Sequence, residues 1–145
     1  KSRRERQYRI LQQAGAENGL SFTSQEKIAG GLMGFDNLGK VLLVLQFDGK
    51  RPSWHTIHLA SVSACTVFTA YSVQPTAVTN LYSLGESVEE VVLQFEFTDG
   101  RPPAAIPFYH VRHHPVAALP ELEHKVRSWQ QFLSKLLEQE HLDRA

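Results

Sequence analysis

The chain has 145 residues, 42% of them hydrophobic and 21% charged, which is enough for a buried core and too apolar for a disordered segment. Its 15 basic and 15 acidic residues cancel, and a single cysteine, Cys65, excludes an internal disulfide framework and any cysteine-based zinc site. No run of about 18 apolar residues is present, so no spanning helix and no signal-peptide pattern lie within the chain.

The balanced charge is unevenly spread. Lys1, Arg3, Arg4, Arg6 and Arg9 face one acid, Glu5, within the first nine residues. The remainder holds 10 basic and 14 acidic residues (15 less 5, 15 less 1), a formal −4. An acidic body argues against nucleic-acid binding, which needs a basic face on the folded part. A basic cluster of this kind fits the cytoplasmic flank of a membrane span preceding Lys1. The competing reading is a solvated helix end.

In chain order, a weakly amphipathic helix is expected from about Arg4 to Glu17, ended by Asn18-Gly19. Thr23-Ser24-Gln25-Glu26 has the capping-box pattern, which predicts a short helical turn before Gly30-Gly31. From Leu32 the period becomes that of strands. Leu32 to Phe35 leads into a turn at Asp36-Asn37-Leu38-Gly39, and Val41 to Phe47 is a buried strand ending at Asp48-Gly49. Trp54 to Leu59 and Val62 to Tyr71 are the next strands, with a bend or bulge at Ala60-Ser61. Gln74 to Gly85 reads as an irregular loop that could include an edge strand. Val88 to Phe97 alternates, with Val91, Leu93, Phe95 and Phe97 on the core side and only Val92 out of pattern. Ala105 to Tyr109 is a last short strand after the Asp99-Gly100 turn.

A C-terminal helix opens at Pro120, a residue suited to the first helical position, where its missing N–H would be unpaired anyway. Leu122, Val126, Trp129, Leu133, Leu136 and Leu137 recur at three- and four-residue spacing and form its core face. The fold class expected is therefore α+β: an antiparallel β-barrel or sandwich of about six to seven strands, closed by this helix, with an N-terminal helix in front.

That element order, with "HLASVSACTVF" at the break, resembles pleckstrin-homology-like (PH-like) domains. Ile57-His58-Leu59 running into Val62-Ser63-Ala64-Cys65-Thr66-Val67 matches a strand pair of bacterial members. The chain is similar to a group of bacterial membrane-anchored proteins that have a transmembrane helix, a basic stretch, a helix and an "iGiD" strand and turn. Met33-Gly34-Phe35-Asp36 fits that pattern, and Phe108-Tyr109-His110, Glu123, Ser128-Trp129 and Leu133 fit the later one. Residues 74 to 87 match nothing in it. The resemblance implies a basic juxtamembrane helical arm at 1–19, a single PH-like domain at 20–145, and a place on the cytoplasmic face of the inner membrane. It implies no reaction.

Seven histidines raise a metal question, and His110, His113 and His114 are the candidate ligands. No carboxylate or cysteine flanks them at a known ligand spacing, so a polar loop is the plainer reading. His55 and His58, three apart on a strand, fall on opposite faces. Cys65 lacks a nucleophile elbow and reads as a packed residue. Glu89-Glu90 opens a strand and Glu121/Glu123 sits in a helix's first turn, where acids suit the dipole. Lys50-Arg51 is a sparse version of a phosphate-binding loop.

No catalytic or cofactor motif is present, so the expected function is non-enzymatic. The leading expectation is a membrane-tethered domain that offers a sheet edge or loop to a protein partner. The alternative is a small-ligand or metal sensor using the His110/His113/His114 loop. An unrecognised enzyme is the third.

Overall fold

The structure, a computed structural model, describes residues 2–49, 51–72 and 87–144. Its contacts separate the chain into two compact units, Lys1–Val62 and Ser63–Ala145. The charge divides with them. The first unit holds nine basic and five acidic residues and the second six and ten, so the −4 of the body lies wholly in the second.

In the first unit, helix α1 (Arg3–Glu17) starts at Ser2, whose hydroxyl accepts the Glu5 amide at 3.1 Å. It ends in a Schellman arrangement: Leu20 N–H donates to Gly15 and Gly19 N–H to Ala16, with Gly19 at φ 68°. Four antiparallel strands follow in the order β1-β2-β3-β4: β1 (Ser24–Ile28), β2 (Gly31–Asp36), β3 (Val41–Gln46) and β4 (Ser53–His58). Register places Leu32, Gly34, Leu43 and Leu45 on one face. Leu11 and Ala14 of α1 pack there, with Tyr8, Ile10, Leu20, Phe22 and Phe47 around them. A Cβ on Gly15 would lie 2.6 Å from the Phe22 ring, and one on Gly34 would lie 2.7 Å from the same ring. The two glycines thus admit one aromatic ring between helix and strand. This is the physical content of the Gly in Met33-Gly34-Phe35-Asp36.

The Asp of that motif ties the unit together. Asp36 is buried; its carboxylate accepts the Gly39 amide at 2.8 Å and the Ser21 amide at 3.0 Å. It joins the β2–β3 turn to the segment that follows α1. These amides hold the carboxyl below its ordinary value of 3.8, against the opposing effect of burial. Asp36→Ala is expected to cost roughly 1–3 kcal/mol at neutral pH, because two amides lose their acceptor. With the folded value depressed, this contribution is complete above 3.8 and disappears as pH falls through the folded-state value. Urea midpoints of wild type and Asp36→Ala should therefore differ at neutral pH and draw together in acid. A constant gap would show that another group is responsible.

The second unit carries a three-stranded sheet in the order β5-β6-β7: β5 (Val62–Tyr71), β6 (Val88–Phe97) and β7 (Ala104–His110). Val91 pairs with Tyr109 and Val92 with Pro107, so Phe108 is an extra residue on β7. The bulge lets consecutive Phe108 and Tyr109 both be buried, and it tolerates a proline that has no amide to offer. Val92 is buried as well. It is the residue that breaks the alternation, and it sits at the bulge. A 3₁₀ turn at Val116–Ala118 leads into helix α2 (Leu119–Arg144), which packs on β7 and β6 through buried Leu119, Val126, Leu133 and Leu137.

The chain is thus α+β, with antiparallel sheets of four and three strands and a helix at each end. Among the described residues the ladders form two sheets, and no closed barrel. Two local readings need correction. Ser24–Ile28 is a strand, not a helical turn: Thr23 N–H and Thr23 Oγ1 both donate to the Phe35 carbonyl, so the residue expected to cap a helix serves the ladder with β2. Helix α2 begins at Leu119, with Pro120 its second residue. The bend at Ala60-Ser61 is a 3₁₀ turn, Leu59–Ser61. Residues 74–86 of the unreadable stretch lie outside the described residues; Ser87 is described, and is buried.

Candidate functional site

Each open sheet has two margins: β1 and β4 on the first, β5 and β7 on the second. A margin exposes unpaired amides and carbonyls and invites another strand unless charge, proline or a bulge blunts it. β1 has five residues, among them Glu26 and Lys27. β7 carries Pro107 and the bulge. β4 has six residues, preceded by Arg51-Pro52. β5 has ten residues, VSACTVFTAY, without a charge or a proline. Among the described residues it is the longest margin and the least protected.

Its backbone orientation follows from two bonds. The Cys65 carbonyl accepts Gln130 Nε2 of α2 at 3.1 Å, and Ser72 N–H donates to the Ser87 carbonyl, next to β6, at 2.7 Å. Alternate residues of an antiparallel strand address opposite sides. Cys65, Val67, Thr69 and Tyr71 therefore turn their backbone groups outward, and Ser72 inward. At Cys65 the Gln130 side-chain amide occupies the place of a neighbouring strand's N–H. Gln130 is itself held near Ser134 Oγ at 3.2 Å.

Apolar side chains line this margin. Phe68 is 53% exposed and Tyr71 37%. Beside Gln130 on α2, Trp129 and Phe132 meet edge to face at 5.9 Å, with Phe132 42% exposed. Trp129 was expected in the core; it is half-buried, and its turn of helix borders β5. Phe68 and Tyr71, three apart on the strand, lie on opposite faces of the sheet, so an extended segment added at this margin meets backbone hydrogen bonds along its length and one aromatic ring on each face.

The cysteine on this strand is not reactive. Cys65 is buried, and desolvation pushes its thiol up to about 12, so no thiolate forms at neutral pH.

The histidines at the end of β7 and just after it build a turn. His110 Nδ1 accepts the Arg112 amide at 3.0 Å. His114 Nδ1 lies 3.2 Å from the His110 amide and 3.3 Å from its carbonyl, and its ring stacks on Tyr109 at 5.6 Å. His113 stands 6.0 Å from the His110 ring and 6.4 Å from that of His114. Among the described residues no group of three His, Cys, Asp or Glu is arranged to hold a metal ion.

The remaining candidates are dispersed. Arg3, Arg4, Arg6 and Arg9 lie exposed on the first two turns of α1, while Lys1 is outside the described residues. Lys50 is outside them too, and Arg51 is exposed. On β4, His55 shares a parity with Ile57, and His58 takes the other, so the H-x-x-H pair does not converge. Trp54 is 45% exposed. Glu89 and Glu90 begin β6 on opposite parities, and Glu121 and Glu123 lie in the first turns of α2. Among the described residues no helix is long and apolar enough to cross a membrane. Comparison with family models, curated proteins and solved structures finds no match for the chain.

Proposed function

We propose that the chain is a non-enzymatic, membrane-tethered interaction domain of PH-like fold that receives an extended segment of a protein partner on the β5 margin. Four strands, three strands and a closing helix are the order the PH-like reading calls for. The basic start of α1 supports a tether through a helix upstream of Lys1, at the cytoplasmic face of the membrane. The observation that carries the proposal is the uncharged ten-residue margin, with Phe68 and Tyr71 exposed along it. The alternative sensor built on His110, His113 and His114 has less support, because the Nδ1 atoms of His110 and His114 are engaged by local backbone.

A random-peptide display selection on the whole chain tests this. Enriched peptides are expected to alternate apolar residues, as strand addition demands. Thr69→Pro removes an outward amide and should weaken them about tenfold or more. Phe68→Lys, at an exposed position, should do the same without touching the core. No enrichment, or peptides indifferent to both substitutions, would remove the β5 reading.

A further inference from the structure

We infer that the arginine-rich end of the first unit is a contact surface for an anionic lipid bilayer, an inference that rests on the membrane half of the function proposed above. The evidence is a conflict between sequence and helix electrostatics. The N-terminal end of a helix carries the positive end of its dipole and favours acids there, with bases at the other end. In α1 the order is reversed: Arg3, Arg4, Arg6 and Arg9 crowd the first two turns with Glu5 the only acid, while the last turn has no base and ends on Glu17. Apart from Arg4, which lies 5.8 Å over the Tyr8 ring, these arginines have no partner among the described residues. Neither helix stability nor the fold accounts for them, and such local contradictions mark functional sites.

Lys27 and Arg51 lie at the same end with Glu26 and Asp48, so the charge excess there is that of the α1 arginines. The Ser21–Asp36 bond fixes the α1 C-terminal side at the β2–β3 turn. From there α1 runs back across Leu43, Leu45 and Leu32, with Tyr8 and Ile10 in the cluster that includes Phe47. At about 1.5 Å per residue, its 15 residues span the length of the six-residue strands. Its N-terminus therefore reaches the end where β1 finishes and β4 starts. Lys27 and Arg51 are exposed there. At about 100° per residue, Arg3, Arg4, Arg6 and Arg9 fall at roughly 0°, 100°, 300° and 240° around the helix, so they radiate in several directions instead of forming one stripe. A groove or a duplex lying along the helix meets only some of them. A flat anionic surface met end-on meets them together.

The test uses the whole chain, with no upstream span, and vesicles of phosphatidylcholine with or without phosphatidylglycerol. Sedimentation with the anionic vesicles only, and release by salt once the screening length falls below the patch size, is expected. The triple variant Arg3→Gln, Arg6→Gln, Arg9→Gln keeps good helix formers and should lower the partition roughly a hundredfold, at about one charge's worth per residue. Equal binding to both vesicle types, no binding, or an unaffected variant would overturn the inference. So would a DNA duplex that strips the chain from vesicles at equal phosphate, since it would reassign the surface to nucleic acid. Failure here leaves the upstream tether and the β5 margin standing, because neither depends on these arginines binding lipid.

Discussion

A chain ending at Ala118 is expected to lose the cooperative fold of its second unit. The helix thereby removed buries Leu119, Val126, Leu133 and Leu137 and half-buries Leu122, Trp129 and Leu136. Four buried side chains at about 1.5–3 kcal/mol each give roughly 6–12 kcal/mol gross, comparable to a whole domain's stability of about 5–15 kcal/mol. The three-stranded sheet left behind would lose the helix that packs on β6 and β7. Limited proteolysis should cut within strands β5, β6 and β7 of the truncated chain and spare those strands in the full one. The graded version is Leu133→Ala, which should cost about 2–5 kcal/mol in urea unfolding. A truncated chain that resists protease and unfolds cooperatively would show that the sheet is supported from elsewhere.

The second large effect is expected at Gly31, where β2 begins. A Cβ there would stand 1.9 Å from the Leu45 carbonyl oxygen and 3.0 Å from Gln46 Cα. Both are backbone atoms of the paired strand, so no rotamer relieves the overlap. Gly31→Ala is expected to cost on the order of 3 kcal/mol or more, the upper range for overpacking. Gly19→Ala is the control. Its Cβ meets open space, and only the left-handed backbone at φ 68° opposes it, for roughly 1–2 kcal/mol. Thermal midpoints should separate the two clearly. Equal shifts would mean that β2 and β3 slide apart at little cost.

What could be read directly from residue order was whatever repeats locally. The α2 face has a helical period, and Val126, Leu133 and Leu137 are buried as that period requires. Val41 to Gln46 is an apolar run between turns, and it is the central buried strand. Asn18-Gly19 ends α1 through backbone geometry available only to such a pair. Ser24–Ile28 was illegible because a charged margin strand has almost no apolar alternation: only Ile28 is buried, and the strand exists by hydrogen bonding to β2. The same non-locality hid the candidate site. VSACTVFTAY is readable as a strand, but whether it lies between partners or at a margin depends on pairings far away in sequence. Trp129 satisfied the apolar spacing, yet a 26-residue helix on a narrow sheet leaves its flank, with Phe132, in solvent. His110 and His114 were visible as a cluster, while their use as acceptors for their own backbone required coordinates.

The peptide-docking reading of β5 is tested most directly by amide hydrogen exchange with a peptide enriched in the display selection. The outward amides of Val67, Thr69 and Tyr71 should gain protection on binding, and those of β1, β4 and β7 should not change. Protection at the β4 margin or at the His110–His114 turn, with β5 unchanged, would contradict the account.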